Sequence, residues 1–227
     1  MIKVDEKFKE IKEQNLGEYA ADYLIDSLNH NTSMDFGDDG DWISSCADSR
    51  TIYTSDCIEF KENNYREFYE GYDELKQIQD LNKLSFDEIL TRSAFYGMRE
   101  VIRTELEDSK EDIVACYVLH DLSKRGITEI SERQMSDIDA VSDDPENDVA
   151  DKIEAEVNLY KALGEEIDLD GIEDEELEKK LKGLPPETLH GFSETTNDVL
   201  RNDHDLDCED LAAELEDQAE NSQEQGK

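Results

Sequence analysis

SFDEILTRSAFYGMREVIRTEL, residues 85–106, carries a helix signal at its start and along its length. Ser85 followed three residues later by Glu88 is a capping box: the serine side chain accepts from the Glu88 amide, and the Glu88 carboxylate reaches back to the serine amide. Phe86, Ile89, Leu90, Ala94, Phe95, Met98, Ile102 and Leu106 recur at three- and four-residue spacing, a single apolar stripe. This stretch predicts a mainly α protein.

Downstream, Ser109 with acids behind it opens a second helix through Ile113, Val114, Tyr117, Val118 and Leu122. Lys124 and Arg125 suit the negative helix end, and Gly126 is the expected C-terminal cap. A short extended link, Ile127 to Ile130, leads to Ser131, which caps a helix through Met135 and Ile138. Residues 109–141 thus have the outline of a helix-turn-helix. Their second helix has Arg133 as its only base beside Glu132, Asp137 and Asp139, so phosphates would repel it. Helix packing, or docking on a protein, is the favoured reading.

Upstream, Phe8, Ile11, Leu16, Tyr19, Tyr23, Leu24 and Leu28 predict one or two helices up to Asn29. An acidic, glycine-containing loop follows over 31–41, then a strand or a helix over 42–60, leaving room for a small β element. Tyr65, Phe68, Tyr69, Tyr72, Leu75 and Ile78 return to helical spacing. After a turn at 143–148, Val149 to Leu163 predicts a helix with Ile153, Val157, Tyr160 and Leu163 inward. Gly164 to Gly171 breaks it, a short helix over Leu177 to Leu181 ends at Gly183, and an acidic helix spans Asp207 to Ala219. Beyond Asn221 disorder is expected.

Charge organises the chain further. It holds 62 acids against 23 bases, a net charge of −39 in 227 residues. Residues 1–80 carry net −12, residues 81–134 only −3, and residues 135–227 carry −24. The expected organisation is an acidic aromatic-rich region (1–80), a near-neutral helical hub (81–141), an acidic helical arm (142–220) and a disordered tail (221–227). Salt adaptation of a whole proteome predicts an Ala- and Arg-rich chain without a neutral centre. Here 15 Lys outnumber 8 Arg, and there are 16 Ile but only 12 Ala.

Motifs for chemistry are missing. Cys46, Cys57, Cys116 and Cys208 form no CxxC pair and no compact disulfide framework, so they read as thiols of a reducing cytoplasm. His30, His120, His190 and His204 show no zinc spacing. An EF-hand register with Gly171 at its sixth position puts Leu177 where a bidentate carboxylate is required. No nucleophile elbow, P-loop or dinucleotide fingerprint occurs. No signal peptide is expected, and no apolar run is long enough to cross a membrane. The chain reads as a non-enzyme without cofactor or metal.

Residues 51–78 (TIYTSDCIEFKENNYREFYEGYDELKQI), followed by the 85–106 helix, resemble a family of small phage-encoded proteins that share an I-Y-Y-x-D-T–aromatic stretch, a tyrosine-rich acidic helix and a later aromatic helix. Thr54 and Cys57 depart from that pattern. The resemblance implies a bacteriophage or mobile-element origin and no chemistry. In size, acidity and acidic C-terminal arm the chain also resembles the host-takeover proteins of large Bacillus phages, including their acidic inhibitor of RNA polymerase. That resemblance implies a DNA mimic in the host cytoplasm that blocks a polymerase's basic DNA channel and inhibits transcription. Phage antirestriction proteins and acidic anti-CRISPR proteins, which block defence nucleases, are similar in kind.

The expected partner is therefore a host DNA-binding protein or enzyme, RNA polymerase favoured, without direct nucleic-acid or membrane contact. The carboxylates expected to meet it are Asp143, Asp144, Glu146, Asp148, Asp151, Glu154 and Glu156, then Asp168, Asp170, Glu173, Asp174, Glu175, Glu176 and Glu178. The competing reading of another class is a halophilic structural protein whose acidity is only solvation.

Overall fold

The computed structural model describes residues 1–30, 54–141 and 148–225. These are mainly α, as expected: twelve helices and two short strands. In chain order they are β1 (Ile2–Lys3), α1 (Val4–Gln14), α2 (Glu18–His30), α3 (Thr54–Asn63), α4 (Tyr65–Ile78), α5 (Phe86–Asp108), α6 (Lys110–Lys124), β2 (Glu129–Ile130), α7 (Glu132–Asp139), α8 (Asp148–Leu163), α9 (Asp174–Leu181), α10 (Pro186–Leu189), α11 (Glu194–His204) and α12 (Cys208–Gln225). Of the small β element expected around 42–60, residues 42–53 lie outside the described set, and Thr54 onward is helix. Of the expected tail, residues 226–227 lie outside it and 221–225 continue α12.

Two compact units share the described residues. One contains residues 1–8, 118–141 and 148–225; the other contains residues 9–117. These contact-based units do not follow the charge-based boundaries at 80 and 141. The acidic C-terminal residues belong to a unit with its own core rather than to a separate arm. Leu159, Leu177, Leu181, Leu189 and Leu200 are fully buried together in it.

The 9–117 unit is organised by α4 and α5. Ser85 caps α5 as expected, with its hydroxyl accepting from the Glu88 amide at 3.3 Å and its own amide donating to the Glu88 carboxylate at 2.8 Å. Arg92 bonds Gln79 at one end of the pair, while Gly71 and Gly97 lie against each other farther along, so the two helices run antiparallel. Both glycines are required by the close approach: a Cβ on Gly71 would collide with the Ser93 carbonyl and the Gly97 amide, and one on Gly97 with the Glu67 carbonyl. Cys57, Phe60, Phe68, Leu90 and Ala94 fill the adjoining core.

In the other unit β1 pairs antiparallel with β2, in the register Ile2↔Ile130 and Lys3↔Glu129. The Val4 amide adds a bond to the Thr128 carbonyl at 3.1 Å. Gly126 takes the left-handed conformation at φ +79°, as a helix C-terminal cap does. The link between α6 and α7 therefore contains a paired strand, which the roughly three- or four-residue turn of a helix-turn-helix does not. Ser131 and Gln134 form the capping box of α7.

On helix α8 Ile153 and Leu163 meet the core as expected, but the inward face is shifted from the one its apolar residues suggest. Ile153 and Leu159 are buried, and so is Glu156, whereas Tyr160 is exposed. Helix α11 was not anticipated. It buries Val199 and Leu200 and begins at Ser193, whose hydroxyl accepts from the Thr196 amide at 3.2 Å.

Candidate functional site

The expected partner-facing carboxylates divide into groups with different surroundings. Asp143, Asp144 and Glu146 lie outside the described residues; Asp148 opens α8. The others line α8, the 164–173 loop and α9, where most meet a cation of their own unit.

Arg125, just beyond the end of α6, holds three of them or their neighbours: Asp121 at 2.7 Å, Asp151 at 2.5 Å and Glu154 at 2.9 Å. Burial opposes its charge, but the hydrogen bonds it donates to Asp151, Asp121 and Glu154 outweigh burial and leave the guanidinium more basic than usual. Arg133, on the first turn of α7, bonds Glu156 at 2.6 Å, Asp137 at 3.3 Å and Asp168 at 3.5 Å. Its pKa is raised, chiefly by the Glu156 hydrogen bond. Glu156 also accepts from Gln134 Nε2 at 2.8 Å and from the Leu169 amide at 3.4 Å. A single carboxylate thus joins α7, α8 and the following loop.

This corrects two of the expected site residues. The Glu156 side chain is 7% exposed and that of Glu154 is 14% exposed, so both are turned into their unit and hold it together. A buried carboxylate requires a partner, and the arginines supply it. On the surface, Asp170 pairs with Lys152 at 3.2 Å, Glu176 with Lys180 at 3.7 Å and Glu178 with Lys182 at 2.8 Å, while Asp174 is hydrogen-bonded to Nδ1 of the buried His204 at 2.8 Å. Of the candidates whose side chains are described, Glu173 and Glu175 carry no partner. Exposed pairs of this kind are weak and open to competition by another cation.

The longest acidic run, Glu173 to Glu176, is the N-terminal cap and first turn of α9, where the helix dipole favours negative charge. Helices α1, α6 and α12 also carry two acids each in their first turns. Part of the acidity therefore serves helix starts. Taken as a whole, residues 148–225 hold 26 acids and 6 bases, net −20. Glu166, Glu187, Glu194, Asp203, Asp210 and Asp217 join Glu173 and Glu175 as exposed carboxylates without a partner.

Among the described residues no three His, Cys, Asp or Glu side chains are grouped to hold a metal. The Asp168–Gly171 loop, compared above with a calcium loop, is instead closed by Arg133 and Lys152. The thiol of Cys116 is pushed up to about 12 and that of Cys208 to about 11, both chiefly by burial, which makes them poor nucleophiles. No described helix is long and apolar enough to cross a membrane.

The sequence reading missed one surface in the other unit. Ile58, Tyr65 and Phe86 are 48%, 66% and 75% exposed and border a groove of about 450 Å³ floored by Leu90. Phe86 belongs to the apolar stripe by spacing, but as the first residue of α5 it lies beyond the buried part of that stripe. Comparison with protein families, with curated proteins and with solved structures finds no match to the chain.

Proposed function

We propose that the chain is a non-enzymatic, phage-type acidic protein that occupies the basic DNA channel of a host nucleic-acid machine as a DNA mimic, RNA polymerase being the favoured target. The observation that supports this reading is the net −20 of residues 148–225 on a unit with its own buried core. Carboxylates on ordered helices keep fixed spacings, as a substitute for a phosphate ladder requires; DNA itself carries about one charge per 1.7 Å of axis. Encounter with a basic channel would be steered by charge and weakened by salt. Because Asp151, Glu154, Glu156 and Asp168 are held internally, the carboxylates that meet the partner are the unpaired ones, with Glu173 and Glu175 at their centre.

The internal pairing favours a second reading, in which the acidity serves solvation and folding alone. A pull-down of the tagged full chain from a bacterial lysate at low salt, read by mass spectrometry, separates the two. Recovery of RNA polymerase, a restriction enzyme or a defence nuclease, released by duplex DNA and by added salt, supports mimicry. Recovery of no nucleic-acid-binding protein at any salt concentration, from a protein that is folded at low salt, rejects it.

A further inference from the structure

We propose that the groove between α3, α4 and α5 is a docking site for a cationic amphipathic helix of a partner protein, whose apolar side chains enter against Phe86, Tyr65 and Ile58 while its lysines and arginines meet the acidic rim. The groove lies wholly within the 9–117 unit and has Ile58, Tyr65, Phe86 and Leu90 as its apolar lining. Three of these are large hydrophobic side chains left in water, although a folded chain of this composition has ample charged residues to place there. Tyr65 packs on Tyr69 with ring centroids 4.6 Å apart and planes tilted by 47°, and Tyr69 meets Phe68 edge-on at 5.4 Å, so Tyr65 has aromatic support from its own helix. Rigid aromatic anchors beside a pocket are the side chains that carry most of the binding energy in protein interfaces.

Charge selects the occupant. Glu62 lines the groove, Glu59 precedes it by one turn on α3 and Asp87 follows Phe86 on α5; all three are exposed without a partner. One base, Lys61, also lines the groove, 5.2 Å from the Phe68 ring centre, while Arg66 bonds Glu70 at 2.9 Å. Residues 54–108 hold 14 acids and 7 bases. A neutral apolar segment would crowd the rim carboxylates without compensating them, and a second copy of this chain would bring another net −39. A helix with an apolar stripe flanked by lysine and arginine satisfies both features, by the helix-in-groove mode. This inference does not depend on DNA mimicry, because it concerns other residues and another kind of contact.

The test uses the full chain and a synthetic, fluorescently labelled peptide of about four helical turns, leucine on one face and lysine and arginine elsewhere. A scrambled peptide of identical composition and the double variant Tyr65→Ser/Phe86→Ser serve as controls. Both substituted side chains are exposed, so the variant is expected to keep the parent's circular dichroism and melting temperature. The patterned peptide should bind at least about tenfold more tightly than the scrambled one at equal salt, and the double variant should lose that preference. Glu59→Gln/Glu62→Gln should weaken binding of the patterned peptide. Equal binding of both peptides, or an unchanged preference in the double variant, overturns the proposal. A concentration-dependent dimer abolished by the double variant assigns the groove to a second copy, and binding only after deletion of residues 31–53 assigns it to the chain itself; either overturns it too.

Discussion

Truncating Glu156 to alanine tests whether the acidic C-terminal residues are structural. The side chain is 7% exposed and takes donors from Arg133, Gln134 and the Leu169 amide. Removing it leaves Gln134 Nε2 buried without an acceptor, and each such orphan costs about 1–3 kcal/mol. The Leu169 bond is long at 3.4 Å and adds little. Arg133 is 35% exposed and keeps Asp137 and Asp168, so it retains water and two carboxylates. The roughly 3–5 kcal/mol of a fully buried broken pair is therefore an upper bound. We expect a loss of about 2–4 kcal/mol for Glu156→Ala and about half that for Glu156→Gln, whose amide oxygen still accepts one of the donors. Urea unfolding followed by far-ultraviolet circular dichroism measures the loss. Hydrogen exchange locates it, with faster exchange expected over Glu132–Asp139 and Asp148–Leu163. A double-mutant cycle with Arg133→Ala should show coupling above about 1 kcal/mol. A Glu156→Ala protein within about 0.5 kcal/mol of the parent, with unchanged exchange in those helices, would refute the assignment.

Three other outcomes are expected. Gly71→Ala should destabilise the protein by about 1–3 kcal/mol in chemical denaturation, because its methyl meets backbone atoms of Ser93 and Gly97 that cannot give way, and this exceeds the roughly 1 kcal/mol gained in helix propensity. Cys116 and Cys208 should resist alkylation at about pH 8.5 in the native state and react in urea. Their thiols are raised by burial to about 12 and about 11, so the unfolded chain releases these protons first, and the stability tied to the neutral thiols should fall as pH rises from about 8.5 towards those values. Asp207 lies below the usual carboxylate range because it accepts from Arg201 and from the Asp210 and Glu209 amides. Its contribution is present above an unfolded pKa near 4 and disappears as pH falls through the lower folded value, so the difference in melting temperature between parent and Asp207→Asn should close below about pH 4.

Local signals made much of the fold legible. Ser85 with Glu88, Ser131 with Gln134, and Gly126 act through neighbours in sequence, and the helices they delimit stand where the residues suggest. What could not be read depends on contacts between distant residues. Nothing near Glu156 shows that Arg133 will reach it, so spacing alone placed Val157 and Tyr160 inward and left the carboxylate outside. The pairing of Ile2 with Ile130 is equally invisible to a window of adjacent residues. The candidate carboxylates were readable as an acidic region, but their division into held and unpaired side chains required the positions of Arg125, Arg133, Lys152 and Lys182. Helix α11 was hidden because its only buried apolar residues, Val199 and Leu200, sit among polar ones, two of which, Thr196 and His204, are buried as well.

The strand pair at Ile2 and Ile130 bears on how the chain is made. One unit takes its first eight residues from the beginning of the chain and the rest from Val118 onward, so the 9–117 unit is an insertion within it. During synthesis the inserted unit leaves the ribosome complete, while β1 must wait for β2, and for the leucines of α8 to α12 behind it, before its own unit can close. Such long-range closure slows folding. A fragment starting at Val118 would contain nearly all of the acidic unit but lack the strand that covers Glu129 and Ile130 and the fully buried Val4. Excision of that unit for study therefore calls for retaining residues 1–8 and joining them to 118 by a short linker in place of the insertion.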